Sequence, residues 1–269
     1  MHQQELSVAL QAARAGAQVV RAGFGSAVAA DFKGDADPVT EVDRAAEEQV
    51  LAMIRHHFPD DAIMAEESAA AGSGAGAWPA GRAWIVDPLD GTVNFIHGVP
   101  HVAVSVALWI DQAPAAAVVI DVIHGEEFSA VAMGGAFSSG NRIKVSGEDD
   151  LGRSLIATGF PYDRNIHGLA YADNLGQVLT RVQGVRRLGS AALDLAWVAC
   201  GRYEGYWEFG LKPWDVAAGM LLVTEAGGRV TSHRGLDYQM GDAGVVVSNA
   251  LIHDSLLGAV RLSLPGHVS

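Results

Sequence analysis

The spacing of apolar residues divides the chain into helices and strands. Near the start, apolar positions three and four residues apart predict an amphipathic helix from Glu5 to about Phe24. A second helix is predicted to begin after Thr40, because Asp43 follows three residues later as in a capping box and an apolar stripe comes next. Pro59 marks the end of that helix.

Short apolar runs then predict an antiparallel sheet, followed by strands that alternate with helices. The predicted sheet strands are Ala62–Ala65, Ala83–Val86, Val102–Ile110, Ala115–Ile120, Glu127–Ala132 and Arg142–Val145. The later strands are Leu155–Thr158, Glu204–Phe209, Val230–Ser232 and Val245–Ser248, and the later helices are Tyr171–Val182, Ala191–Cys200, Asp215–Ala226 and Leu251–Leu262. This order predicts a layered α/β (α+β) architecture.

Two features of the pattern concern the connections. A segment rich in Gly, Ala and Ser, Ala69–Gly81, predicts a mobile loop. The sequence has no linker long enough to separate independent domains. We therefore expect a single domain, 1–269, with an N-terminal α+β half of about 1–148 and a C-terminal α/β half of about 149–269.

The stretch WIVDPLDGTVNF places two acids directly after a buried strand. Asp87 and Asp90 flank Pro88, and Gly91 follows, so the strand stops in a tight turn. Two carboxylates on one turn repel each other unless a cation lies between them or one stays protonated. Oxygen ligands alone favour a hard cation such as Mg²⁺. Taken by itself, the same pentapeptide is also compatible with an ordinary surface turn.

Composition narrows the classes of protein. The 269 residues are 49% hydrophobic, with no apolar run long enough to span a membrane. The start lacks the features of a signal peptide, and the one cysteine, Cys200, permits no internal disulfide, so we expect a cytoplasmic protein. A formal net charge of −13 argues against binding DNA or an anionic membrane. It would also repel a phosphate substrate, unless bound divalent cations invert the local field.

Three further acids repeat the pattern of the turn. Glu66 ends a strand, and Asp43 and Asp215 begin helices. Each has a structural explanation: a solvated loop edge for Glu66, a cap for Thr40 in the case of Asp43, and a favourable helix-dipole interaction for Asp215. Strands that end in acids converge at one edge of a sheet, where such a cluster would be destabilising without metal. A Mg²⁺ site beside an anion-binding turn is what hydrolytic phosphoryl transfer requires.

Four motifs, taken in order, carry a resemblance to a known family. DPVTEVD, EES, WIVDPLDGTVNF and GLKPWDVAAG resemble the inositol monophosphatase family of Mg²⁺-dependent, Li⁺-sensitive phosphatases. The segment RRLGSAALDLAWVACGRYEGYWEFGLKPWD is similar to the bacterial branch of that family. The resemblance covers nearly the whole chain. It implies an αβαβα sandwich of the inositol monophosphatase/fructose-1,6-bisphosphatase type.

The resemblance also implies a set of metal ligands. Glu66, Asp87 and the backbone carbonyl of Leu89 would hold the first Mg²⁺. Asp87, Asp90 and Asp215 would hold the second, with Asp87 as the bridge. A third, weaker ion would share Glu66, which makes two to three ions in each active site.

By the same resemblance, other residues would act on water and substrate. Thr92 and Glu66 would position and activate the attacking water, and Asp43 would orient the Thr92 hydroxyl. The remaining assignments are to substrate binding: the backbone N–H groups of Gly91 and Thr92 for the phosphate, Glu208, Asp90, Asp215 and the backbone around Ala191 for the organic part, and Lys33 near the phosphate.

The expected reaction is hydrolysis of inositol 1-phosphate or a related small polyol or sugar phosphate. Alternatives within the family are fructose 1,6-bisphosphate, histidinol phosphate and a 3′-phosphoadenosine nucleotide, because the motifs fix the metal site and not the substrate. For a bisphosphate, Arg186, Arg187 and Lys212 are candidate extra cations. A regulatory binding protein that keeps the fold is an alternative of a different class. By analogy with the family we expect a homodimer, with Val102 to Phe137 as a candidate interface.

Overall fold

The fold is built from helices and sheets that stack in alternating layers. In the computed structural model, residues 2–26, 30–32, 38–70 and 80–260 are described. Lys33, most of the predicted loop Ala69–Gly81 and the last two residues of the predicted helix Leu251–Leu262 lie outside these ranges. The helices are α1 (Gln3–Gly23), α2 (Glu41–His57), α3 (Glu66–Ala70), α4 (Thr92–Ile96), α5 (Arg164–Leu179), α6 (Ala191–Ala199), α7 (Pro213–Glu225) and α8 (His253–Val260).

The strands form one large, one medium and one small sheet. They are β1 (Ala30–Phe32), β2 (Pro38–Thr40), β3 (Ala62–Ala65), β4 (Arg82–Asp90), β5 (Ala103–Ile110), β6 (Ala113–Asp121), β7 (Glu127–Val131), β8 (Gly135–Ser138), β9 (Asn141–Arg142), β10 (Leu155–Thr158), β11 (Gly184–Arg186), β12 (Gly205–Phe209), β13 (Arg229–Ser232) and β14 (Gly244–Ser248). The seven-stranded sheet has the order β3-β4-β5-β6-β7-β8-β9 and is antiparallel except for the β3–β4 pair. The five-stranded sheet has the order β11-β10-β12-β14-β13.

Because side chains alternate along a strand, the two faces of each sheet pack against different helices. On β4, Trp84 and Val86 face α1 and α2, whereas Ile85 between them faces α6 and α7. On β12, Tyr206 faces the same central helices, and Trp207 faces α5 and α8 on the other side. Two helices therefore cover each outer face, and α6 and α7 lie between the sheets. This is the αβαβα order, and the mixed α/β fold expected from the sequence is confirmed.

Several predicted elements differ from the structure in extent. The helix predicted to begin at Tyr171 begins at Arg164. The prediction started too late because Ile166 and Leu169 in the first turns are exposed, so their apolar side chains do not follow the pattern of the buried face. The strand predicted for Arg142–Val145 pairs only over Asn141–Arg142. The pattern missed the short strands β1, β2, β8 and β11 and the short helix α3, which contain five residues or fewer. Among the described helices, none is long and apolar enough to cross a bilayer.

Candidate active site

An irregularity in β4 brings the two acids of the DPLD turn to one side of the sheet. In regular strand geometry, residues three apart point to opposite faces. Here Asp87 pairs with Ser105 and Asp90 pairs with Ala103, so β4 uses one residue more than β5 between these two points. Such a bulge shifts the alternation by one, which is a common device beside active sites. Asp87 and Asp90 are thereby directed toward a common space.

Asp87 is the acid at the centre of this space. Its side chain is 2% exposed, and one oxygen accepts a hydrogen bond from the Leu89 amide at 3.0 Å. Burial raises the pKa of Asp87 well above its ordinary value, and the charges of Glu66, Asp90 and Asp215 raise it further. The Glu66 carboxyl also lies within hydrogen-bonding reach of Asp87. Two carboxyls hydrogen-bond only when they share a proton, so this site holds either protons or cations.

Asp90 lies at the start of α6. Its Oδ2 accepts hydrogen bonds from the Ser190 hydroxyl at 2.6 Å and from the Ala192 amide at 2.7 Å, and the Ala191 amide contributes another. Burial nonetheless raises the pKa of Asp90 to about 6. The N-terminus of α6 therefore binds the carboxylate of the turn, which links the seven-stranded sheet to the central helices.

Asp215 occupies the first turn of α7. The chain enters this helix through Pro213, which suits the first helical position, and Asp215 Oδ2 accepts from the Lys212 amide at 2.7 Å. Burial and the charge of Glu66 raise the pKa of Asp215 well above its ordinary value. Asp215 therefore caps α7 and is also a member of the acidic cluster.

Asp43 and Thr92 form a buried pair behind the cluster. The Thr92 hydroxyl lies 2.9 Å from Asp43 Oδ1 and 3.1 Å from the Leu89 carbonyl. The other Asp43 oxygen accepts from the amide and hydroxyl of Thr40, so the predicted capping box is present. Since Asp43 binds both threonines, it serves as a helix cap and as the orienting partner of Thr92.

A cleft of about 890 Å³ lies in front of these residues. Of the predicted site residues, those that line it are Glu66, Asp90, Ala191, Glu208 and Asp215. Asp87, Leu89 and Thr92 are buried in the turn next to Asp90, Gly91 in the same turn is half-buried, and Asp43 is buried against Thr92. Lys33 is outside the described residues. The site residues that the structure describes therefore line one cleft or lie next to the residues that line it.

Two parts of the site differ from the expectation or extend it. The backbone around Ala191, expected to contact substrate, lies in the wall of the cleft, and its amide also lowers the pKa of Asp90. Glu208 is 9% exposed, and one of its oxygens accepts from the Tyr206 hydroxyl. Burial raises the pKa of Glu208 to about 7, against the effects of Tyr206 and of the Arg187 charge.

The sequence interpretation missed several supporting residues. Glu47, 5% exposed on α2, accepts from the amides of Glu67 and Ser68 and so holds the first turn of α3, which carries Glu66. Its place one helical turn after Asp43 was a usable signal. Tyr206, two residues before Glu208 on the same strand face, was another. Asp194 lines the cleft, and an acid inside the apolar helix ALDLAWVA is unusual enough to be noticed.

The donor set fits a divalent cation. All the predicted ligands offer oxygen, and their mutual repulsion is what a bound cation would relieve. Within the part of the chain that the structure describes, no three Asp, Glu, His or Cys side chains already have the spacing of a metal site. The ligand set implied by the family resemblance therefore rests on donor chemistry.

Comparison with known proteins gives consistent matches over the whole chain. A family model described as the inositol monophosphatase family matches residues 1–264. A Nus factor SuhB of Pseudomonas aeruginosa is 43% identical over 265 residues, which cover 97% of both chains. A chloroplastic phosphatase, IMPL1, of Arabidopsis thaliana is 42% identical over 261 residues, which cover 94% of this chain and 68% of that one. The solved structure of an inositol monophosphatase from Anabaena has a TM-score of 0.85 and 39% identity, and it covers 99% of both chains.

Proposed function

The chain belongs to the inositol monophosphatase family, and on that basis we propose that it is a phosphomonoesterase dependent on Mg²⁺. Its substrate is inositol 1-phosphate or a related small polyol or sugar phosphate. The observation that carries this proposal is the convergence of four carboxyls, Glu66, Asp87, Asp90 and Asp215, beside the Thr92–Asp43 pair. A binding protein that had lost catalysis would have no reason to keep so unfavourable a cluster.

The proposed metal ligands divide as the family resemblance implies. Glu66, Asp87 and the Leu89 carbonyl would hold one Mg²⁺, and Asp87, Asp90 and Asp215 would hold a second. A third ion would share Glu66. When bound, these ions supply Lewis-acid stabilisation of the phosphoryl group and of the leaving alkoxide. The hydrogen bonds to Asp87 and Asp90 each engage a single carboxylate oxygen, which supports a ligand role for the other.

Thr92 orients the attacking water. A hydroxyl has one proton, and the buried Asp43 carboxylate at 2.9 Å is its strongest acceptor. The lone pairs of Thr92 Oγ1 are then directed away from Asp43, where they accept a hydrogen bond from a water molecule. Glu66, held through the contact of α3 with Glu47, accepts the proton of that water.

The phosphate and the organic part of the substrate bind to different residues. The first amides of α4, those of Gly91 and Thr92, bind phosphate oxygens, and Lys33 offsets part of the acidic charge. Glu208, oriented by Tyr206, binds a substrate hydroxyl, and Asp90 and Asp215 border the same space. The backbone near Ala191 contributes shape to this wall, while its amide stays with Asp90.

A substrate panel tests the proposal. Phosphate release is measured from inositol 1-phosphate, fructose 1,6-bisphosphate, histidinol phosphate and a 3′-phosphoadenosine nucleotide, with Mg²⁺, with a chelator and with added Li⁺. We expect release that needs Mg²⁺, is fastest for inositol 1-phosphate and is inhibited by Li⁺. Release that persists in the chelator contradicts the metal role, and the fastest substrate decides among the family alternatives.

We further propose that the protein is cytoplasmic and forms a homodimer without binding DNA or membrane. The net charge of −13 supports the last point. Light scattering at micromolar concentration tests the dimer, and a monomer there removes this part of the proposal. Cell fractionation tests the location.

A role as a Nus factor is a second candidate, since relatives with that name are 40–43% identical to this chain. It is separable from catalysis. In a strain that lacks the protein, rescue of a growth defect by an Asp87→Asn variant with strongly lowered phosphatase activity assigns the phenotype to this second role. Failure of that variant, with rescue by the wild-type chain, assigns it to the phosphatase.

A further inference from the structure

Asp194 is a buried acid in the wall of the cleft that the proposed chemistry does not use. It is the fourth residue of α6 and only 1% exposed, yet its side chain lines the cleft together with Glu208 and Arg187. Its Oδ1 has no hydrogen-bond partner among the described residues. A buried carboxyl oxygen without a donor is destabilising, so a retained one points to a ligand that satisfies the group.

The neighbouring donor His101 does not reach Asp194. His101 Nε2 lies 4.0 Å from Asp194 Oδ1, which is too long for a hydrogen bond, and it is also buried without a partner among the described residues. The imidazole is held edge-on against Trp197, with ring centroids 5.2 Å apart. The carbonyl of His101 accepts from the Asn94 side chain at 2.8 Å. His101 therefore lies fixed on the Oδ1 side of Asp194, where that oxygen is completely buried. A donor in the cleft can reach the carboxyl only through its other oxygen, Oδ2.

The surroundings of Asp194 distinguish it from Glu208. Tyr206 already orients Glu208, whereas no described side chain orients Asp194 by a hydrogen bond. Burial and the charges of Glu208 and Asp90 raise the pKa of Asp194 well above its ordinary value, and the charge of Arg187 acts in the opposite direction. A carboxyl in this setting suits a neutral hydroxyl, which can donate to it or accept from it, better than a second phosphate.

We propose that Asp194 binds a hydroxyl group of the substrate away from the phosphorus, with His101 as the positioning residue behind it. This inference rests on the proposed phosphomonoesterase function and adds a second recognition point beside Glu208. The substrate is then a phosphate of a polyol with at least two free hydroxyls, one for each carboxyl.

Kinetics of an Asp194→Leu variant test the inference, because leucine has a similar size and removes the polar atoms. The substrates are inositol 1-phosphate, its singly deoxygenated analogues and ethyl phosphate, which lacks free hydroxyls. We expect KM for inositol 1-phosphate to rise by about tenfold or more with kcat changed by less than about threefold. KM for ethyl phosphate stays the same. For the wild-type chain, one deoxy analogue has a KM that is higher by the same factor. For the variant, that analogue and inositol 1-phosphate have the same KM.

Three further variants complete the experiment. Asp194→Asn, which keeps the polar atoms, restores part of the affinity, and His101→Phe raises KM for inositol 1-phosphate by a smaller factor. Asp61→Asn is the matched control: it removes a half-buried carboxyl that binds Arg82 and Trp84 away from the cleft, and it leaves KM unchanged.

Two results overturn the inference while the proposed function stands. One is an unchanged KM in Asp194→Leu, and the other is an equal loss with inositol 1-phosphate and ethyl phosphate. If the wild-type chain releases no phosphate from any of these compounds with Mg²⁺, the proposed function itself fails.

Discussion

Asp87 differs from the other acids of the site because it interacts with all of them. It is within reach of the Glu66 carboxyl, and the charges of Asp90 and Asp215 act on it directly. A backbone donor to its side chain is the Leu89 amide in its own turn. Thr92, in contrast, has its side-chain hydrogen bonds with the buried Asp43 carboxylate and the Leu89 carbonyl. Substitutions of Asp87 and of Thr92 should therefore have different effects on activity and on its Mg²⁺ dependence.

Asp87→Asn should weaken metal binding and activity together. We expect kcat/KM to fall by roughly 100-fold or more at low Mg²⁺, with partial recovery at high Mg²⁺. Thr92→Ala should lower kcat on the order of 100-fold, with little change in the Mg²⁺ dependence. Steady-state kinetics over a Mg²⁺ titration measures both. Thr92→Ser restores the hydroxyl and serves as the control, and equal, mild effects in both variants contradict these assignments.

Gly91 has to be glycine for two separate reasons. Its φ of 94° lies in the left-handed region, and a Cβ there would lie 3.0 Å from the His101 carbonyl oxygen and 3.2 Å from that of Gly189. Gly98, at the other end of α4, has a φ of 68° with open space around it. Both alanine variants lose about 1–2 kcal/mol from the backbone, and Gly91→Ala should lose roughly 1–3 kcal/mol more from the contacts. Urea unfolding of the two variants measures the difference, and equal losses contradict the packing argument.

At the scale of elements, the site depends on the close approach of α6 and α7. The first turn of α6 binds Asp90, and the first turn of α7 carries Asp215. Gly219 in α7 lets the helices pack, since a Cβ at this position would lie 2.4 Å from Leu195 Cδ1 and 2.5 Å from Leu195 Cβ. The distance between these helices therefore sets the distance between two of the proposed ligands.

Gly219→Ala should separate α6 from α7. We expect a loss of roughly 1–3 kcal/mol of unfolding free energy from overpacking, together with weaker Mg²⁺ binding. Gly176→Ala in α5 is the matched control: it adds the same methyl group to a helix where nothing lies within 4 Å. There we expect a gain of about 0.5–1 kcal/mol from helix propensity. Chemical unfolding and a Mg²⁺ titration of both variants test this, and similar values for the two would refute it.

The elements that form the site were also the most predictable from sequence. The strand before Asp87, the cap at Thr40 and the starts of α6 and α7 each have strong local signals in apolar runs, capping residues and Pro213. The bulge in β4, the contact of Glu47 with α3 and the placement of Asp194 beside His101 depend on tertiary packing. No spacing along the chain encodes those distances.

The candidate dimer surface stays a prediction, and packing shows which part of it is exposed. The strands β5 and β6, within the predicted interface from Val102 to Phe137, are almost entirely buried in the core of this chain. Among the large apolar side chains of that range, Met133, 88% exposed at the turn between β7 and β8, is the one fully open to a partner. An apolar run thus predicts that its residues are buried. It does not indicate whether they are buried inside this chain or against a second one.

At the scale of the whole molecule, the two halves share one core. Ile85 of the large sheet and Val245 and Val247 of the smaller sheet belong to a single apolar cluster that includes α6 and α7. We therefore propose that residues 1–269 form one domain whose halves, about 1–148 and 149–269, do not unfold separately. Calorimetry should give one transition with equal calorimetric and van't Hoff enthalpies per unfolding unit. Two resolved transitions would contradict the shared core.

The acidic cluster should couple the stability of the whole molecule to pH and Mg²⁺. Burial raises the pKa of Asp90 to about 6 and raises the pKa values of Asp87 and Asp215 well above their ordinary range. In the unfolded chain, carboxyls of ordinary pKa have lost their protons by about pH 5. The metal-free folded state keeps protons that the unfolded state has released, so its contribution to stability falls as the pH rises through this range.

On the proposed function, Mg²⁺ would take the place of those protons. The rise in Tm on adding Mg²⁺ should therefore be small at about pH 5 and large at about pH 8. The buried His101 and His253, whose pKa values burial lowers to about 4, change stability in the opposite direction with pH. They do so with or without metal, so the Tm difference between the two conditions removes their effect. Asp87→Asn should flatten the pH dependence of this difference, and an equal Mg²⁺ effect at both pH values in the wild-type chain would exclude a proton-for-metal exchange.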